Sequence, residues 1–184
     1  MTIVELRTLT PAQMERCAEL LVTCFAEHWP EAWPTIADAR AEVQTFFEIA
    51  DRFAAFAATD GDVVVGWVGG IKEYDGNVIE LHPLAVDPAR RDAGIGRMLV
   101  ERVEQAAREI GAFTMRVGTD DEDSMTSLSN VDLYDDLPGK IARVTNLKRH
   151  PMGFYFRLGY TIIGAVPDAN GIGKPDIIMG KRLG

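Results

Sequence analysis

The segment 77–98 constrains the fold of this chain more than any other, because it predicts a strand that leads through a short turn into a helix. Its first part is rich in β-branched and aliphatic residues, which favours a strand. Pro83 lies inside that strand and cannot donate a hydrogen bond to a neighbouring strand. We therefore expect a bulge or a lost partner near Pro83. Asp87-Pro88 is expected to end the strand.

Two glycines, Gly94 and Gly96, mark the start of the helix that follows. Glycines at this place leave backbone N–H groups uncovered, and the helix dipole adds partial positive charge there. Arg91 and Arg97 supply full positive charges beside them. The turn therefore predicts a phosphate site. The alternative is an ordinary strand–turn–helix in which the glycines only permit tight packing.

The pattern Arg91-x-x-Gly94-x-Gly96 resembles the central motif of the GNAT acyltransferases, R/Q-x-x-G-x-G/A. In that family these amides hold the pyrophosphate of acetyl-coenzyme A, and the bulged strand receives the pantetheine. A dinucleotide-binding fingerprint would need a third glycine where Leu99 stands. The residues expected to contact acetyl-CoA are Leu84, Ala85, Val86, Arg91, Asp92, Ala93, Gly94, Ile95, Gly96, Arg97 and Tyr155.

Composition narrows the class of partner. The 184 residues fit one domain, 1–184, and the net charge of −9 makes nucleic acid an unfavourable partner and attracts cationic ligands. No apolar run has membrane-spanning length and no signal peptide is evident, so we expect a cytoplasmic protein. Cys17 and Cys24 lie two helical turns apart, roughly 10 Å and too far for a disulfide; we expect buried thiols.

The element order expected along the chain is β-α-α-β-β-β-α-β-α-β-β. Capping residues Thr10 and Thr35 start the first two helices, and the long helix should bury Ile110 and expose Glu104. The expected strands besides the central one are Thr2–Leu9, Arg52–Thr59, Val63–Tyr74, Phe113–Val117, Thr161–Pro167 and Asp176–Leu183. This α/β order matches the GNAT fold. The resemblance implies a central mixed sheet, flanked by helices and splayed at the cofactor cleft.

Acetyl transfer to an amine needs a group that accepts the amine's proton and a group that protonates the leaving thiolate. Glu80 and His82 are two residues apart on the central strand, so regular geometry places them on one face. Glu80 is the first candidate base and His82 a relay, although a satisfied strand histidine is as good an interpretation. Tyr155, in the expected helix Met152–Leu158, is the candidate acid; the alternative is a core aromatic.

A set of further segments resembles the aminoglycoside 6'-N-acetyltransferase branch of this family. They are 80–84, 118–122, 126–129, 146–147, 150–155, 159–160, 167–171 and 174–177. The resemblance implies Glu80 and His82 near the reacting amine and Asp120 and Asp121 toward the antibiotic. The aromatic loop 28–34 is either a packed corner or a wall of the acceptor site. The expected substrate contacts are Trp29, Glu31, Tyr74, Glu80, Asp120, Asp121 and Asp136.

The acidic stretch 118–140 admits two interpretations, a solvated loop or a carboxylate-lined site for a polycation. It lacks the glycine and terminal glutamate of an EF-hand, so we expect no metal. Two functions remain open. One is an acetyl-CoA-dependent enzyme acting on an aminoglycoside and conferring resistance, with another small polyamine or a peptide amine as runner-up substrate. The other is a non-catalytic acyl-CoA-binding module. A homodimer is expected.

Overall fold

The computed structural model of the protein describes residues 1–184, which divide into two compact units. The first unit comprises Met1–Met115 with Leu183–Gly184, and the second comprises Arg116–Arg182. The strands are β1 Thr2–Glu5, β2 Arg52–Asp60, β3 Val63–Glu73, β4 Val78–Val86, β5 Thr114–Asp120, β6 Thr161–Val166 and β7 Asp176–Arg182. The helices are α1 Pro11–Phe25, α2 Ile36–Glu48, α3 Ile95–Glu109, α4 Leu137–Ala142 and α5 Met152–Arg157.

Strands β1 to β4 of the first unit pair in sequence order, each antiparallel to the next. The predicted β2–β3 hairpin is confirmed, and Gly61 at φ +61° makes its turn. The first strand is shorter than predicted. It ends at Glu5, and Leu6–Thr8 forms a 3₁₀ turn because Leu6 enters the core, where it is 1% exposed.

Both predicted helix starts in the first unit are confirmed. Thr10 Oγ1 accepts from the Gln13 amide at 3.3 Å, and Gln13 Oε1 accepts from the Thr10 amide at 3.0 Å. Thr35 and Asp38 make the same reciprocal pair at the start of α2. Each pair satisfies amides that the helix itself leaves without partners, which fixes where α1 and α2 begin.

The core of the first unit lies where α1 and α2 cover β2 to β4. Trp67 is fully buried there, and its indole Nε1 donates to the carbonyl of Cys17 at 3.0 Å. Both cysteines are free, as predicted. Cys17 is buried, and burial raises the pKa of its thiol to about 12, whereas Cys24 is only partly buried.

The long helix α3 buries Ile95 and most other predicted positions, but two predictions about it are wrong. Ile110 is 47% exposed because the helix ends before it and Gly111, at φ +82°, turns the chain away. Glu104 is only 2% exposed, not on the exposed side. It follows Val103 at the edge of a wide apolar face, and Arg108 Nη2 lies 3.3 Å from its carboxylate.

In the second unit β7 lies between β5 and β6, and β6 and β7 are antiparallel. The Thr119 hydroxyl on β5 donates to the Ile177 carbonyl on β7 at 2.9 Å. Strand β5 starts one residue later than predicted and runs on to Asp120. Helix α4 was not predicted. Asp136 caps it by accepting from the Gly139 amide at 3.0 Å, and Pro138 lies in its first turn. None of the five helices is long and apolar enough to cross a membrane.

Candidate active site

Strand β4 carries the predicted bulge. Val68 pairs with Leu84 and Gly70 with Leu81, so one β3 residue faces two residues of β4, His82 and Pro83. Glycine is required at the facing position, since a Cβ on Gly69 would collide with the Phe46 ring and the His82 carbonyl. The inserted residue leaves the alternation of buried and half-exposed side chains along β4 unbroken.

Glu80 and His82 share one face of β4, as predicted. Both are half-buried, whereas Ile79, Leu81 and Pro83 between and beside them are buried. The face therefore presents a carboxyl and an imidazole in succession along one strand. These two groups are the first unit's candidates for proton transfer.

Behind His82 lies Glu42 of α2, which the sequence analysis did not identify. Its Oε1 is 3.6 Å from His82 Nε2, and it also accepts a short hydrogen bond from Arg52 Nη1 of β2. Glu42 occurs between buried Ala39 and Val43, within the apolar stripe of α2. A carboxylate among the buried positions of this helix was the one feature of the sequence that could have indicated a largely buried ion pair.

Glu42 is ionised in this setting. Burial alone would raise the pKa of its carboxyl, since its side chain is 13% exposed. The polar contacts with His82 and Arg52 and the charge of Arg52 outweigh burial and hold the pKa of Glu42 below its ordinary value. The Arg52 guanidinium also lies 4.9 Å from the centre of the Phe46 ring, which fixes it beside the carboxylate.

The aromatic loop 28–34 contacts both the core and the β4 face. Trp33 packs edge-on against Phe25 of α1, with centroids 4.6 Å apart, and its ring centre lies 5.8 Å from that of His82. Trp29 packs against Phe25 at 5.8 Å, and Glu31 is exposed. The loop is thus a packed corner whose Trp33 also borders His82. Its role as a wall of the acceptor site stays a prediction.

The turn between β4 and α3 has the features that a phosphate site needs. Gly94 is the N-cap at φ +81°, a conformation that favours glycine, and no side chain caps the helix. The first intrahelical bond runs from the Met98 amide to the Gly94 carbonyl. The amides of Ile95 and Gly96 therefore have no partner within α3. Asp92 also has positive φ, 64°, and Arg91 is exposed.

This turn is anchored to the rest of the first unit. Asp87 accepts from Arg16 of α1 at 2.9 Å and from the Ala89 amide at 3.0 Å. Arg90 donates to Asp60 at the end of β2, also at 2.9 Å. Arg97 lies 3.5 Å from Glu101, an exposed i,i+4 pair of the kind that stabilises little. These contacts tie the turn to α1 and to the end of β2. Tyr74 lies elsewhere, in the β3–β4 turn, with its side chain 75% exposed.

In the second unit, Asp121 organises the acidic loop. Its carboxylate is fully buried and accepts from the amides of Met125 and Thr126, at 2.6 and 2.8 Å, and from Ser129 Oγ at 2.5 Å. Burial raises the pKa of Asp121, but these hydrogen bonds and the charge of nearby His150 hold it below its ordinary value. The carboxylate is engaged within the loop, so its predicted contact with an antibiotic stays a prediction.

The neighbouring acids also have partners within the second unit. Asp120 Oδ1 accepts from Asn170 Nδ2 at 2.5 Å, and Asp136 caps α4 while lying 3.3 Å from Arg143. His150 is 1% exposed; its Nδ1 accepts from the Met152 amide at 3.2 Å, and its Nε2 lies 3.2 Å from the Asp120 carbonyl. Substrate contacts of Asp120 and Asp136 likewise stay predictions.

Tyr155 lies on α5 and is 5% exposed. Its ring contacts those of Phe154 and Tyr160, with centroids 5.0 and 5.4 Å apart. Burial raises the pKa of the phenol above its ordinary value, so the hydroxyl keeps its proton near neutral pH. A higher pKa makes the phenol a weaker proton donor, and a thiolate, whose thiol has an ordinary pKa of about 8.5, is a weaker base than the phenolate. The geometry is equally that of a core aromatic, so the acid role stays a prediction.

A sequence model of the acetyltransferase (GNAT) family matches residues 14–128, more than half of the chain. The chain therefore belongs to the GNAT acetyltransferase family, and the predicted family and mixed α/β fold class are confirmed.

Two relatives and two solved structures define its similarities more closely. The chain is 33% identical over 132 residues to an uncharacterized protein of Mycobacterium leprae, covering 67% of the chain but only 33% of that protein. It is 31% identical over 136 residues to the N-alpha-acetyltransferase RimI of Mycobacterium tuberculosis, covering 70% of the chain and 77% of that protein.

The solved structures cover the chain completely. An aminoglycoside 6'-N-acetyltransferase complexed with coenzyme A is 37% identical, with a TM-score of 0.89 and 97% of its chain covered. The aminoglycoside 6'-N-acetyltransferase from Enterococcus faecium is 38% identical, with a TM-score of 0.87 and the same coverage. Both similarities extend beyond the family match, into the region that holds the acidic loop and Tyr155.

Proposed function

We propose that this protein is an acetyl-CoA-dependent N-acetyltransferase that modifies the 6'-amino group of an aminoglycoside and so confers resistance to it. The observation that carries the proposal is the continuity of one segment in the first unit. The bulged strand β4 presents Glu80 and His82 on a half-exposed face and leads, through an anchored turn, to the uncapped N-terminus of α3.

The α3 N-terminus fits the pyrophosphate of acetyl-CoA. The amides of Ile95 and Gly96 lack partners within the helix, and the helix dipole favours negative charge there. A Cβ added at Gly94 would meet no atom within 4 Å, so the approach is open. Arg91 is exposed beside these amides and adds a full positive charge. These groups would hold the cofactor's phosphates, and we keep Leu84, Ala85 and Val86 as proposed pantetheine contacts.

Bound acetyl-CoA would supply the acetyl group: a C–N bond to the amine forms and the C–S bond breaks. A cationic amine loses two protons in all, one before it attacks and one after; the thiolate takes up one proton and solvent takes the other. Glu80 is proposed to hold the cationic amine and to accept its proton, directly or through a water. His82, the next side chain on that face, is proposed to relay the proton to solvent. Tyr155, protonated because it is buried, is the proposed proton donor to the thiolate.

The choice of an aminoglycoside rests on similarity and charge. Two aminoglycoside 6'-N-acetyltransferases resemble the chain over its whole length at 37% and 38% identity. The net charge of −9 favours encounter with a substrate that carries several ammonium groups. Glu31 and Tyr74 are exposed enough to contact such a substrate. Trp29, Asp120, Asp121 and Asp136 are kept as proposed contacts, although each of these three carboxylates also accepts a hydrogen bond within the second unit.

A peptide N-terminus is the second candidate acceptor. The observation that favours it is the 31% identity to an N-alpha-acetyltransferase, over 77% of that protein. A peptide amine needs the same acetyl transfer but offers less positive charge than a polyamine. The two candidates therefore differ in how strongly salt should weaken acceptor binding.

A coenzyme A release assay over a matched panel of amines tests the proposal. The panel contains an aminoglycoside with a 6'-amino group, its analogue with a 6'-hydroxyl, a linear polyamine and a peptide with a free N-terminus. Mass spectrometry then locates the acetyl group in each product. We expect turnover with the 6'-amino compound and none with its 6'-hydroxyl analogue. Expression in a sensitive bacterium should raise the inhibitory concentration of the 6'-amino compound alone.

The other outcomes assign other functions. Turnover with the peptide alone would transfer the assignment to an N-terminal acetyltransferase, and turnover with the linear polyamine alone to a polyamine enzyme. Tight acetyl-CoA binding without coenzyme A release from any amine would indicate a non-catalytic acyl-CoA-binding module.

A further inference from the structure

Glu42 and His82 form a carboxylate–imidazole pair that joins α2 to the candidate catalytic face of β4. Glu42 Oε1 lies 3.6 Å from His82 Nε2. The carboxylate side is buried, with 13% of the Glu42 side chain exposed, whereas 39% of the His82 side chain is exposed. The Glu42 carboxylate therefore lies on the more buried side of the His82 ring.

The contacts of His82 distinguish its two ring nitrogens. Nε2 faces the ionised carboxylate of Glu42, and one edge of the ring neighbours Trp33 at a centroid distance of 5.8 Å. A carboxylate accepts hydrogen bonds and cannot donate one, so it favours the tautomer that carries the proton on Nε2. In that tautomer Nδ1 has a free lone pair. Nδ1 is then the nitrogen that can accept a proton.

Arg52 keeps the carboxylate in place and ionised. It donates to the same oxygen, Oε1, and is itself held over the Phe46 ring at 4.9 Å. A carboxylate fixed by an arginine on one side can still accept from an imidazole on the other, since each oxygen has two lone pairs. The separation of 3.6 Å is longer than a hydrogen bond. Contacts of this kind often tighten only when the substrate is bound.

We propose that Glu42 is a positioning residue for His82: it accepts the Nε2–H, orients the ring, and leaves the Nδ1 lone pair to take the proton that comes from the substrate amine. Its negative charge then stabilises the imidazolium that forms. The inference rests on the proposed acetyltransferase function. It adds a second proton acceptor, His82 positioned by Glu42 of α2, to the base already proposed, Glu80.

A purely structural role is the competing explanation, because the Glu42–Arg52 pair also ties α2 to β2. The two roles differ in what happens when His82 is absent. A positioning residue acts through His82, so its loss costs nothing more once His82 is gone. A structural residue costs the same with or without His82. A double-mutant cycle separates these cases.

The kinetic test compares Glu42→Met, His82→Ala and the double variant. Glu42→Met keeps the side chain's length and removes its acceptor and charge. We expect kcat to fall about 10- to 100-fold, part of the roughly 10²- to 10⁴-fold that general-base catalysis contributes, with the KM for acetyl-CoA unchanged. In the His82→Ala background, Glu42→Met should lower kcat less than twofold. The matched control is Glu48→Met on the exposed end of the same helix, which should change neither parameter.

Glu42→Gln guards against a folding defect in the Met variant. The amide oxygen still accepts from Arg52 and His82 but carries no charge. It should therefore lose less activity than Glu42→Met. Equal and additive losses in the presence and absence of His82 would overturn the proposal, as would a His82→Ala enzyme with wild-type kcat.

The tautomer of His82 gives a readout that does not depend on activity. The chain has three histidines, so the His82→Ala spectrum assigns the His82 signals in a long-range ¹H–¹⁵N experiment. At a pH where the ring is neutral, the wild type should show a proton on Nε2, and Glu42→Met should show a mixture. A proton on Nδ1 in the wild type overturns the proposal. If no amine is acetylated, the proposed function fails, and this spectrum still decides whether Glu42 sets the tautomer.

Discussion

Replacing Asp121 by asparagine should destabilise the protein rather than weaken substrate binding alone. The carboxylate is fully buried and accepts three hydrogen bonds, one on Oδ1 and two on Oδ2. Asparagine keeps the shape, but one of its two ends becomes an NH₂ donor. With the amide oxygen toward Thr126 and Ser129, the NH₂ group faces the Met125 amide, and two donors meet.

The magnitude follows from these contacts. The donor–donor contact leaves a buried N–H unsatisfied, and the two remaining bonds lose their charge assistance. Together these changes cost about 2–4 kcal/mol, a large part of a total stability of about 5–15 kcal/mol. Relaxation of the loop 121–129 would bring the loss toward the lower figure.

Urea unfolding followed by circular dichroism measures the loss. The matched control is Asp135→Asn, whose carboxylate is 79% exposed and 3.5 Å from Lys140; it should cost less than about 0.5 kcal/mol. If Asp121→Asn unfolds at the wild-type urea concentration and instead raises the KM for an aminoglycoside, the loop-holding role is refuted. Asp121 would then be the substrate contact that the sequence predicts.

Three further predictions concern the cofactor site, the base and acid stability. Gly96→Asp should weaken acetyl-CoA binding in calorimetric titration far more than Gly96→Ala, because a carboxylate would meet the phosphates, while an acid in the first turn does not destabilise the helix; equal affinities contradict the placement. Glu80→Gln should lower kcat about 100-fold with little change in acetyl-CoA affinity, and a change below twofold, under about 0.5 kcal/mol, excludes Glu80 as the base. Burial lowers the pKa of His150 in the folded protein below its ordinary value of 6.5, so as the pH falls the unfolded chain takes up this proton first. The free energy of unfolding in urea should therefore decrease as the pH drops below about 6.5. His150→Gln should reduce this dependence on pH, and an unchanged dependence would exclude His150 as its cause.

Features governed by neighbouring residues could be read from the sequence. The helix caps at Thr10 and Thr35, the turn at Gly61 and the bulge at Pro83 each follow from rules that act within a few positions. The Gly94 turn was predicted for the same reason, since its positive φ and its uncapped helix depend on the local chain.

Features governed by tertiary contacts could not be predicted in this way. Glu42 and His82 are 40 positions apart, and nothing local to either indicates that α2 covers the bulge of β4. Glu104 looked like an exposed helix residue, yet it is buried with Arg108 beside it. Helix α4 is too short for a hydrophobic period to show, and the Asp136 cap followed by proline was its only signal.

The acidic stretch 118–140 shows why the number of acidic residues overestimates how many carboxylates are available to bind a ligand. A segment with little regular structure leaves many backbone N–H groups without partners, and carboxylates are strong acceptors for them. Asp121 accepts hydrogen bonds from two such backbone amides, Asp136 accepts one, and Asp120 accepts one from a side-chain amide. These acids still add to the net charge of −9, which acts at long range on any cation that approaches. Recognition of one particular ammonium group would need a carboxylate oxygen with an unused lone pair, and the number of acidic residues does not say which oxygen has one.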